Sequence, residues 1–513
     1  MIGAAASGEG IGVRSGWLAP ALLALGLVTA VRLAFIAWAD LDLDFEEAQY
    51  WFWSRDPAWG YFSKPPLIAW LIAGGTALCG DGEACIRWPS PVIHAATAFV
   101  VGAIGAAAAA PRDRRRVALW SALGYATLPG VSLSALLMTT DVPLLFFWSV
   151  ALLAWIRLMQ GGGAGWAVLG GLALGLGLLS KYAMAYVLVG AAVHLALSAE
   201  ARRIARRRMP ALLAFLAIGL ALLAPNIAWN AADGFITFRH TAENANLDGG
   251  LLHPIRMLEF LGGQFGVSGP VLFVVLMAAL PAWWRQARRP AADGPSREAS
   301  LALGAFCYPV IGLLLVQALI SRANANWAAT AYVAGTVIAV RLLVAGGRLR
   351  LLAASFGLHL AAAAALHLAL AWVPAVVLPG LGAKPVAARL QGWDALGLRV
   401  AAALAAEPGS VLASEYRQLL WVLAYYAGLP PGGYAKWNGD GDIEDHFELI
   451  GATVETAAAA GATRFVLASE RPEPMGILDR FDEWRLLEAV EQPLGAGLVR
   501  RLWLYELSGF RGY

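Results

Sequence analysis

The sequence predicts a mainly α protein, a polytopic transmembrane helix bundle of about 11 spans with a C-terminal α/β domain on the outer side of the membrane. Three observations predict it. Of the 513 residues, 59% are hydrophobic and only 14% charged, against roughly 25% charged in ordinary soluble chains; the mean hydropathy is +0.62. Apolar stretches long enough to cross a bilayer, about 20 residues each, recur from residue 17 to residue 373. Between them, Arg-rich connectors at 112–116, 202–208, 285–289 and 348–350 alternate with loops that carry carboxylates. Lys and Arg near helix ends mark the cytoplasmic side. The carboxylates therefore face outward.

The spans are expected at 17–39, 87–110, 117–137, 142–159, 166–179, 182–198, 209–229, 258–282, 300–320, 327–345 and 351–373. The first, Trp17–Trp38, exceeds the apolar region of about 7–15 residues in a signal peptide. It lacks a small-residue cleavage site and reads as a retained helix. With the N-terminus inside, parity places 112–116, 202–208, 283–299 and 346–350 in the cytoplasm. The fifth and sixth spans are short, a tilted hairpin turning at Ser180–Lys181. Outward lie loop 40–86, the tip Thr139–Asp141, loop 230–257, the tip Ser321–Asn326 and everything beyond residue 374. Within loop 40–86, Phe45–Arg55 and Pro65–Leu78 are expected as helices lying in the interface, where Trp and Tyr prefer to sit.

From Lys384 the composition changes. Short β-rich runs, Ser410–Ala413, Arg464–Ala468 and Leu498–Glu506, alternate with helical stretches, Glu415–Ala427 and Glu448–Ala460. This pattern divides the chain into a membrane domain, 1–380, and an outer α/β domain, 381–513, long enough for its own core. The net charge of +3 is small, and the basic clusters flank apolar helices. They read as topology determinants, so no nucleic-acid partner is expected. High Ala, Gly and Arg usage without an Asn-x-Ser/Thr sequon points to a bacterial source and hence to the inner membrane. Cys79 and Cys85 lie in the first outer loop, where a disulfide and two unpaired thiols are both open readings. Cys307 falls in an apolar helix and reads as packing.

Loop 40–86 is the richest in chemistry. Asp40, Asp42, Asp44, Glu46 and Glu47 precede Tyr50, Trp51 and Trp53, and Gly60-Tyr61-Phe62-Ser63-Lys64-Pro65-Pro66 follows. Acids contribute little to orientation. Asp40 and Asp42 can be a solvated face, whereas Glu46 and Glu47 sit beside aromatics, where burial is costly without a task. Asp141, in Thr139-Thr140-Asp141-Val142-Pro143, reads as a helix cap, a functional carboxylate, or both. Lys64, Lys181, Arg239, His240, Arg256 and Arg322 fall at outer ends, against the orientation bias; an anionic phosphate held there would account for them. Snorkelling to headgroups is the competing account, above all for Arg256. No His/Cys/Asp cluster has metal-ligand spacing, so neither metal nor cofactor is expected. Asp440, Asp442, Glu444, Asp445 and His446 read as a solvated loop.

These segments, in this order, resemble the GT-C superfamily of membrane glycosyltransferases. The resemblance is to the dolichyl-phosphate-mannose protein mannosyltransferase and lipid A aminoarabinose transferase group. It rests on Glu46-Glu47-Ala48-Gln49-Tyr50-Trp51, Lys64-Pro65-Pro66-Leu67-Ile68-Ala69-Trp70-Leu71, Gly80-Asp81-Gly82-Glu83 with Arg87-Trp88-Pro89, and Thr140-Asp141-Val142-Pro143. Leu179-Ser180-Lys181-Tyr182 and Asn326-Trp327 also match, and the likeness covers residues 17–345. The chain departs from the pattern with Glu46 where the acidic pair usually opens with Asp. Gln49 and Ser63 stand where aminoarabinose transferases tend to have Arg and Glu.

The resemblance implies a sugar donor linked to a polyprenyl phosphate and an acceptor that is a lipid, a glycan or a protein. Transfer would occur at the outer face with inversion. Glu46 would be base or acceptor-orienting carboxylate, with Glu47 and Asp141 assisting. Lys64 would contact the donor phosphate, with Tyr61, Lys181, Arg239, His240 and Arg322 as further substrate-binding residues. The alternative is a transporter or flippase of polyprenyl-linked glycans. Transporters favour mid-membrane charges and internal repeats, whereas here the charges sit at outer helix ends. In a third reading the C-terminal domain is the functional part and the bundle an anchor, for which one helix would suffice.

Overall fold

The structure is a computed structural model that describes residues 16–243, 252–288, 295–372, 386–495 and 498–513. The boundary expected at 380/381 lies outside the described residues, as do parts of loops 230–257 and 283–299.

The chain opens with α1 (Leu18–Trp38), then α2 (Phe45–Arg55), α3 (Leu67–Cys79), α4 (Glu83–Arg87) and α5 (Pro89–Ala108). The helices α6 (Arg114–Thr127), α7 (Pro129–Ser134), α8 (Asp141–Met159) and α9 (Ala164–Ser180) follow. A short 3₁₀ turn leads into α10 (Tyr186–Leu197), α11 (Ala199–Arg207), α12 (Met209–Ala232) and α13 (Ile236–Glu243). The bundle is completed by α14 (Pro254–Ser268), α15 (Pro270–Arg288), α16 (Pro295–Ile320), α17 (Ala331–Ala345) and α18 (Leu349–Trp372).

Among the described residues, eight helices are long and apolar enough to cross a membrane, or nine if the pair bent by 112° between α10 and α11 is one span. The helices depart from the expected spans at particular places. Span 117–137 is broken at Leu128, because Pro129 cannot continue α6 and instead starts α7. Span 166–179 is the apolar α9, only 17 residues long. Span 258–282 is two helices, because Gly269 at φ +79° turns the chain between α14 and α15.

The core is centred on α8, whose Trp148, Leu152, Trp155 and Ile156 are buried. It packs on α5 and α9, and α9 packs in turn on α12. Gly171 and Gly175 of α9 sit directly against Ile218 and Leu222 of α12, the close approach that small residues allow between membrane helices. The Arg-rich connectors converge on one end. Arg208 donates to the carbonyls of Gly161 and Gly162, Gln160 to Ala107 at 2.9 Å, and Arg297 to Gln286 at 3.1 Å.

At the other end lies the C-terminal part, with α19 (Val386–Arg389), α20 (Trp393–Ala406), α21 (Arg417–Tyr426), α22 (His446–Leu449), α23 (Val454–Ala459) and α24 (Met475–Leu478). Its strands are β1 (Val411–Ser414), β2 (Tyr434–Lys436), β3 (Arg464–Ser469), β4 (Phe481–Gly495) and β5 (Leu498–Phe510). They form one mixed sheet in the order β2-β1-β3-β5-β4. Leu412 pairs in parallel with Tyr434 and with Val466, and Val466 pairs antiparallel with Glu506. Strands β2 and β4 were not anticipated. The stretch Glu448–Ala460 is two short helices rather than one, separated at Gly451, where φ is +71°.

The two parts share one hydrophobic core. Leu43, Tyr50, Trp53, Ile68, Ile72, Ile86 and Met138 pack with Trp393, Leu396, Leu419, Trp421, Phe447 and Leu504. Polar contacts reinforce it. Asp42 Oδ2 accepts from Trp393 N at 2.6 Å, Tyr426 Oη accepts from Leu43 N at 2.7 Å, and Tyr425 donates to Asp81 O at 2.6 Å. The helix Phe45–Arg55 forms where expected, and its aromatic face is covered by the C-terminal domain.

Candidate active site

The site begins with the cap of α2. Asp44 accepts from Glu46 N at 3.1 Å, while Glu47 Oε2 accepts from Asp44 N at 3.1 Å. This reciprocal cap fixes which way the two adjacent acids point, since successive helical residues diverge by about 100°. Glu47 turns inward. Its carboxylate takes Arg87 Nη2 at 2.6 Å and Arg87 Nε at 3.0 Å, and Met138 N at 2.9 Å. Arg87 donates further to the carbonyls of Leu41 and Asp42, both at 2.7 Å. Glu47 thus ties together loop 41–44, α4 and the tip before α8. Glu46 turns to the other side and is only partly buried. Its carboxylate has no hydrogen bond or ion pair among the described residues.

Asp141 joins three loop tips. Lys181 Nζ donates to its Oδ1 at 2.8 Å and Asn326 Nδ2 to its Oδ2 at 2.9 Å. Lys181 is the first residue after α9, in extended backbone, which carries its side chain back to the start of α8. Asp141 is the first residue of its own helix, after Thr140 at the cap position, and its side chain makes no capping hydrogen bond; of the two readings of this acid, the helix cap is not the one seen.

Lys64 sits in the loop 56–66, which the surrounding helices hold firmly. Asn226 donates to Trp59 O at 2.7 Å, Thr237 to Tyr61 O at 2.8 Å and Trp70 to Ala58 O at 3.1 Å. Gly60 lies so close to the Trp229 ring that a Cβ there would collide with it. Burial pushes the Lys64 ammonium below the usual lysine range; Lys181 and Arg417 add to this, while Glu46 and Asp141 oppose it. No carboxylate lies within ion-pair distance of it among the described residues.

The other expected substrate-binding residues are placed less uniformly. The Tyr61 hydroxyl donates to the carbonyls of Trp53 at 2.9 Å and Asp56 at 3.1 Å and accepts from Ala58 N at 3.1 Å. Its ring stacks on Trp53 with centroids 4.5 Å apart. The phenol therefore braces the loop. His240 packs on Phe62 at 5.0 Å. Burial, then the charges of Arg417 and Lys64, hold its pKa down to about 4, so it is neutral at pH 7 rather than the cation expected. Arg239 and Arg322 are exposed and make no ion pair with Glu46 or Asp141. Arg256 donates to Ser321 O at 3.0 Å.

The C-terminal domain brings Arg417, which carried no local signal in the sequence, and part of the polar loop 440–446. Arg417, the first residue of α21, lies close enough for its charge to act on Lys64 and His240. His446 is packed against Trp53 at 5.4 Å and Tyr61 at 5.5 Å, and burial holds its pKa down to about 4. Asp445 is buried and caps α22, which corrects the expectation of a wholly solvated loop; Asp440, Asp442 and Glu444 are exposed. A disulfide joins Cys79 and Cys85 below Asp81, which pairs with Arg55 at 3.1 Å. Among the described residues no group of three His, Cys, Asp or Glu is placed to hold a metal ion.

Residues 63–229 match the family described as dolichyl-phosphate-mannose-protein mannosyltransferase. The chain is 39% identical over 323 residues to the lipid A galacturonosyltransferase RgtD of Rhizobium johnstonii. That match covers 63% of this chain and 65% of the relative, just under two thirds of the relative's length. Among solved structures, the fold is similar to ArnT from Cupriavidus metallidurans in the apo state, with a TM-score of 0.62 at 15% identity. It is also similar to the same protein bound to undecaprenyl phosphate, with a TM-score of 0.61 at 16% identity. Each comparison covers 96% of this chain and 98% of that one.

Proposed function

The chain has the GT-C fold of membrane glycosyltransferases, and on that premise we propose that it is an inverting glycosyltransferase. It takes a sugar from a polyprenyl-phosphate donor and passes it to a lipid acceptor of the lipid A kind on the outer face of the membrane. One observation carries the reading. Of the three acids singled out, Glu47 and Asp141 are engaged by fixed partners, while Glu46 and Lys64, each without a side-chain partner among the described residues, lie within electrostatic reach of each other. An open carboxylate beside a desolvated cation is what the transfer needs.

The acceptor hydroxyl attacks the anomeric carbon from the face opposite the phosphate. A new C–O bond forms and inverts the centre. The bond from the anomeric carbon to the phosphate oxygen breaks, and its electron pair stays on the phosphate, where Lys64 balances the added charge. Glu46 accepts the hydroxyl proton. A phosphate leaving group is a weak base and needs a cation more than an acid, so no second proton donor is required.

The donor class is supported by the similarity to ArnT bound to undecaprenyl phosphate, and the acceptor class by the 39% identity to a lipid A galacturonosyltransferase. The sugar we assign is accordingly an acidic hexose. The convergence of the Arg-rich connectors on one end supports the outward orientation of the other. Mass spectrometry of envelope lipids from a deletion strain should show one hexuronic acid missing from lipid A. An unchanged lipid profile would refute the reading. For orientation, Arg206→Cys should be shielded from an impermeant thiol reagent in intact cells and Asp440→Cys should react; labelling at 206 would reverse the topology.

A further inference from the structure

The bend between α10 and α11 leaves a basic helix lying across one end of the bundle. α10 packs along α16, a helix long enough to cross the membrane, and α11 turns from α10 by 112°. α11 therefore lies close to the plane of the bilayer surface. The turn is held by named contacts. Ser198 caps α11 by accepting from Ala201 N at 3.0 Å and donates to Glu298 Oε2 at 2.6 Å. Arg202 closes the end of α10, donating to the carbonyls of Leu195 at 2.6 Å and Ala196 at 2.8 Å. Arg208, just past α11, is held by the Gly161 and Gly162 carbonyls.

The two sides of α11 differ. Ala201 and Ala205, four residues apart and so on one face, are buried, and Ile204 beside them is half-buried. Arg202, Arg203, Arg206 and Arg207 are exposed on the other side. Arg203 pairs with Glu200 at 2.5 Å. The side chains of Arg206 and Arg207 have no hydrogen bond or ion pair among the described residues. What lies over this face follows from the next helix. α12 starts at Met209, and its Met209, Leu213, Leu216 and Leu220 are exposed apolar side chains on a helix long enough to cross the membrane. Acyl chains therefore reach up to Met209, and the guanidiniums of Arg206 and Arg207 stand at the level of the headgroups. Orientation in the membrane asks only for cations near the helix ends; it requires neither the 112° turn nor the buried alanine face.

We propose that α11 is a binding surface for anionic phospholipids of the bilayer, with Arg206 and Arg207 holding their headgroup phosphates. A guanidinium fork meets two oxygens of a phosphodiester at once. Residues 199–208 carry five arginines against one glutamate, the charge pattern of a helix that rests on an anionic leaflet. A zwitterionic lipid, whose own cation offsets its phosphate, gives this surface far less net attraction. Neither sugar donor nor acceptor takes part in the contact, so it stands apart from the glycosyl-transfer reading.

The test places the full-length chain in nanodiscs of phosphatidylcholine alone, and of phosphatidylcholine with an equal part of phosphatidylglycerol. Amide hydrogen exchange is read across residues 199–207. A lipid that binds the folded helix slows its local opening. With phosphatidylglycerol the exchange should slow about 5-fold, the worth of one arginine at an anionic surface, and high salt should remove the slowing. Arg206→Gln combined with Arg207→Gln should abolish most of the difference between the two bilayers, and Arg206→Lys with Arg207→Lys should keep part of it. In phosphatidylcholine alone the double Gln variant should exchange as wild type does; faster exchange there would assign the two arginines to the fold and overturn the proposal. Equal exchange of wild type in the two bilayers would overturn it and leave an acidic protein as the partner of this face. Undiminished slowing in the double Gln variant, or slowing that high salt leaves intact, would overturn it as well.

Discussion

Glu47 holds Arg87 in an ion pair of 2.6 Å, with the two side chains only 1% and 3% exposed. Glu46, its neighbour, has no such partner among the described residues. One residue of helical rotation separates a buried, paired acid from an open one.

Glu47→Gln is therefore expected to act on stability. It leaves a buried guanidinium without its counter-charge, which typically costs about 3–5 kcal/mol. Thermal unfolding of the purified variant should show a large drop. A midpoint equal to wild type would mean that water reaches Arg87.

Glu46→Gln should do the reverse. Loss of a positioned proton acceptor lowers turnover by about 10²–10⁴-fold, and no ion pair is broken, so the unfolding midpoint should stay within a degree or two of wild type, about 0.5 kcal/mol for a benign surface change. Near-normal turnover would move the base role to Asp141.

Lys64→Ala should raise the donor concentration needed for half-maximal rate while leaving acceptor dependence unchanged. The ammonium is desolvated and lacks a carboxylate partner among the described residues, so a bound phosphate gains a strong contact. Lys64→Arg keeps the charge with altered geometry and should retain part of the activity. Donor titration decides; unchanged donor dependence in Lys64→Ala would make Lys64 a headgroup anchor.

Asp42 and Asp44 should contribute a loss of stability as pH rises from about 4 to 7, while His240 and His446, both held down to about 4, act in the opposite sense. Burial raises the Asp42 carboxyl to about 7, although Trp393 N and Asp394 N oppose it. Asp44 is raised to about 6, again by burial, with Arg389 opposing. The folded chain keeps protons that the unfolded chain has released. Their contribution is complete below the unfolded pKa near 4 and is lost as pH passes through the folded values. Each group contributes a slope of at most about 1.4 kcal/mol per pH unit. Asp42→Asn keeps an acceptor for Trp393 N but cannot titrate, so the change in its unfolding midpoint from about pH 4 to about pH 7 should be less negative, or more positive, than that of wild type. An identical pH profile would exclude Asp42 as the source.

The sequence made the membrane class, the helices of loop 40–86 and the acid and cation pairs legible, because each is written locally. Hydrophobic length marks the spans, and the Lys64-Pro65-Pro66 and Thr140-Asp141-Val142-Pro143 segments are continuous. Long-range geometry was not legible. Nothing around Glu46 and Glu47 says which one meets Arg87, 40 residues on. Tyr61 looked like a ligand-facing aromatic because its hydroxyl partners, the Trp53 and Asp56 carbonyls, are backbone atoms that no motif records. Arg417 opens an unremarkable apolar helix, and nothing local says that this helix docks on α2. Leu128-Pro129 and Gly269-Pro270 were readable as helix breaks but were absorbed into longer apolar runs.

The bond from Asp42 to Trp393 N closes over 351 residues of chain. At 5–20 residues per second, roughly 20–70 s of translation separate the two partners. Throughout that interval Tyr50, Trp53 and Ile72 wait at the membrane surface without the Trp421 side of their shared core. Until residues 393–421 are made, that apolar face has nothing of its own chain to cover it, so the last part of the chain to be synthesised completes a core begun by the first.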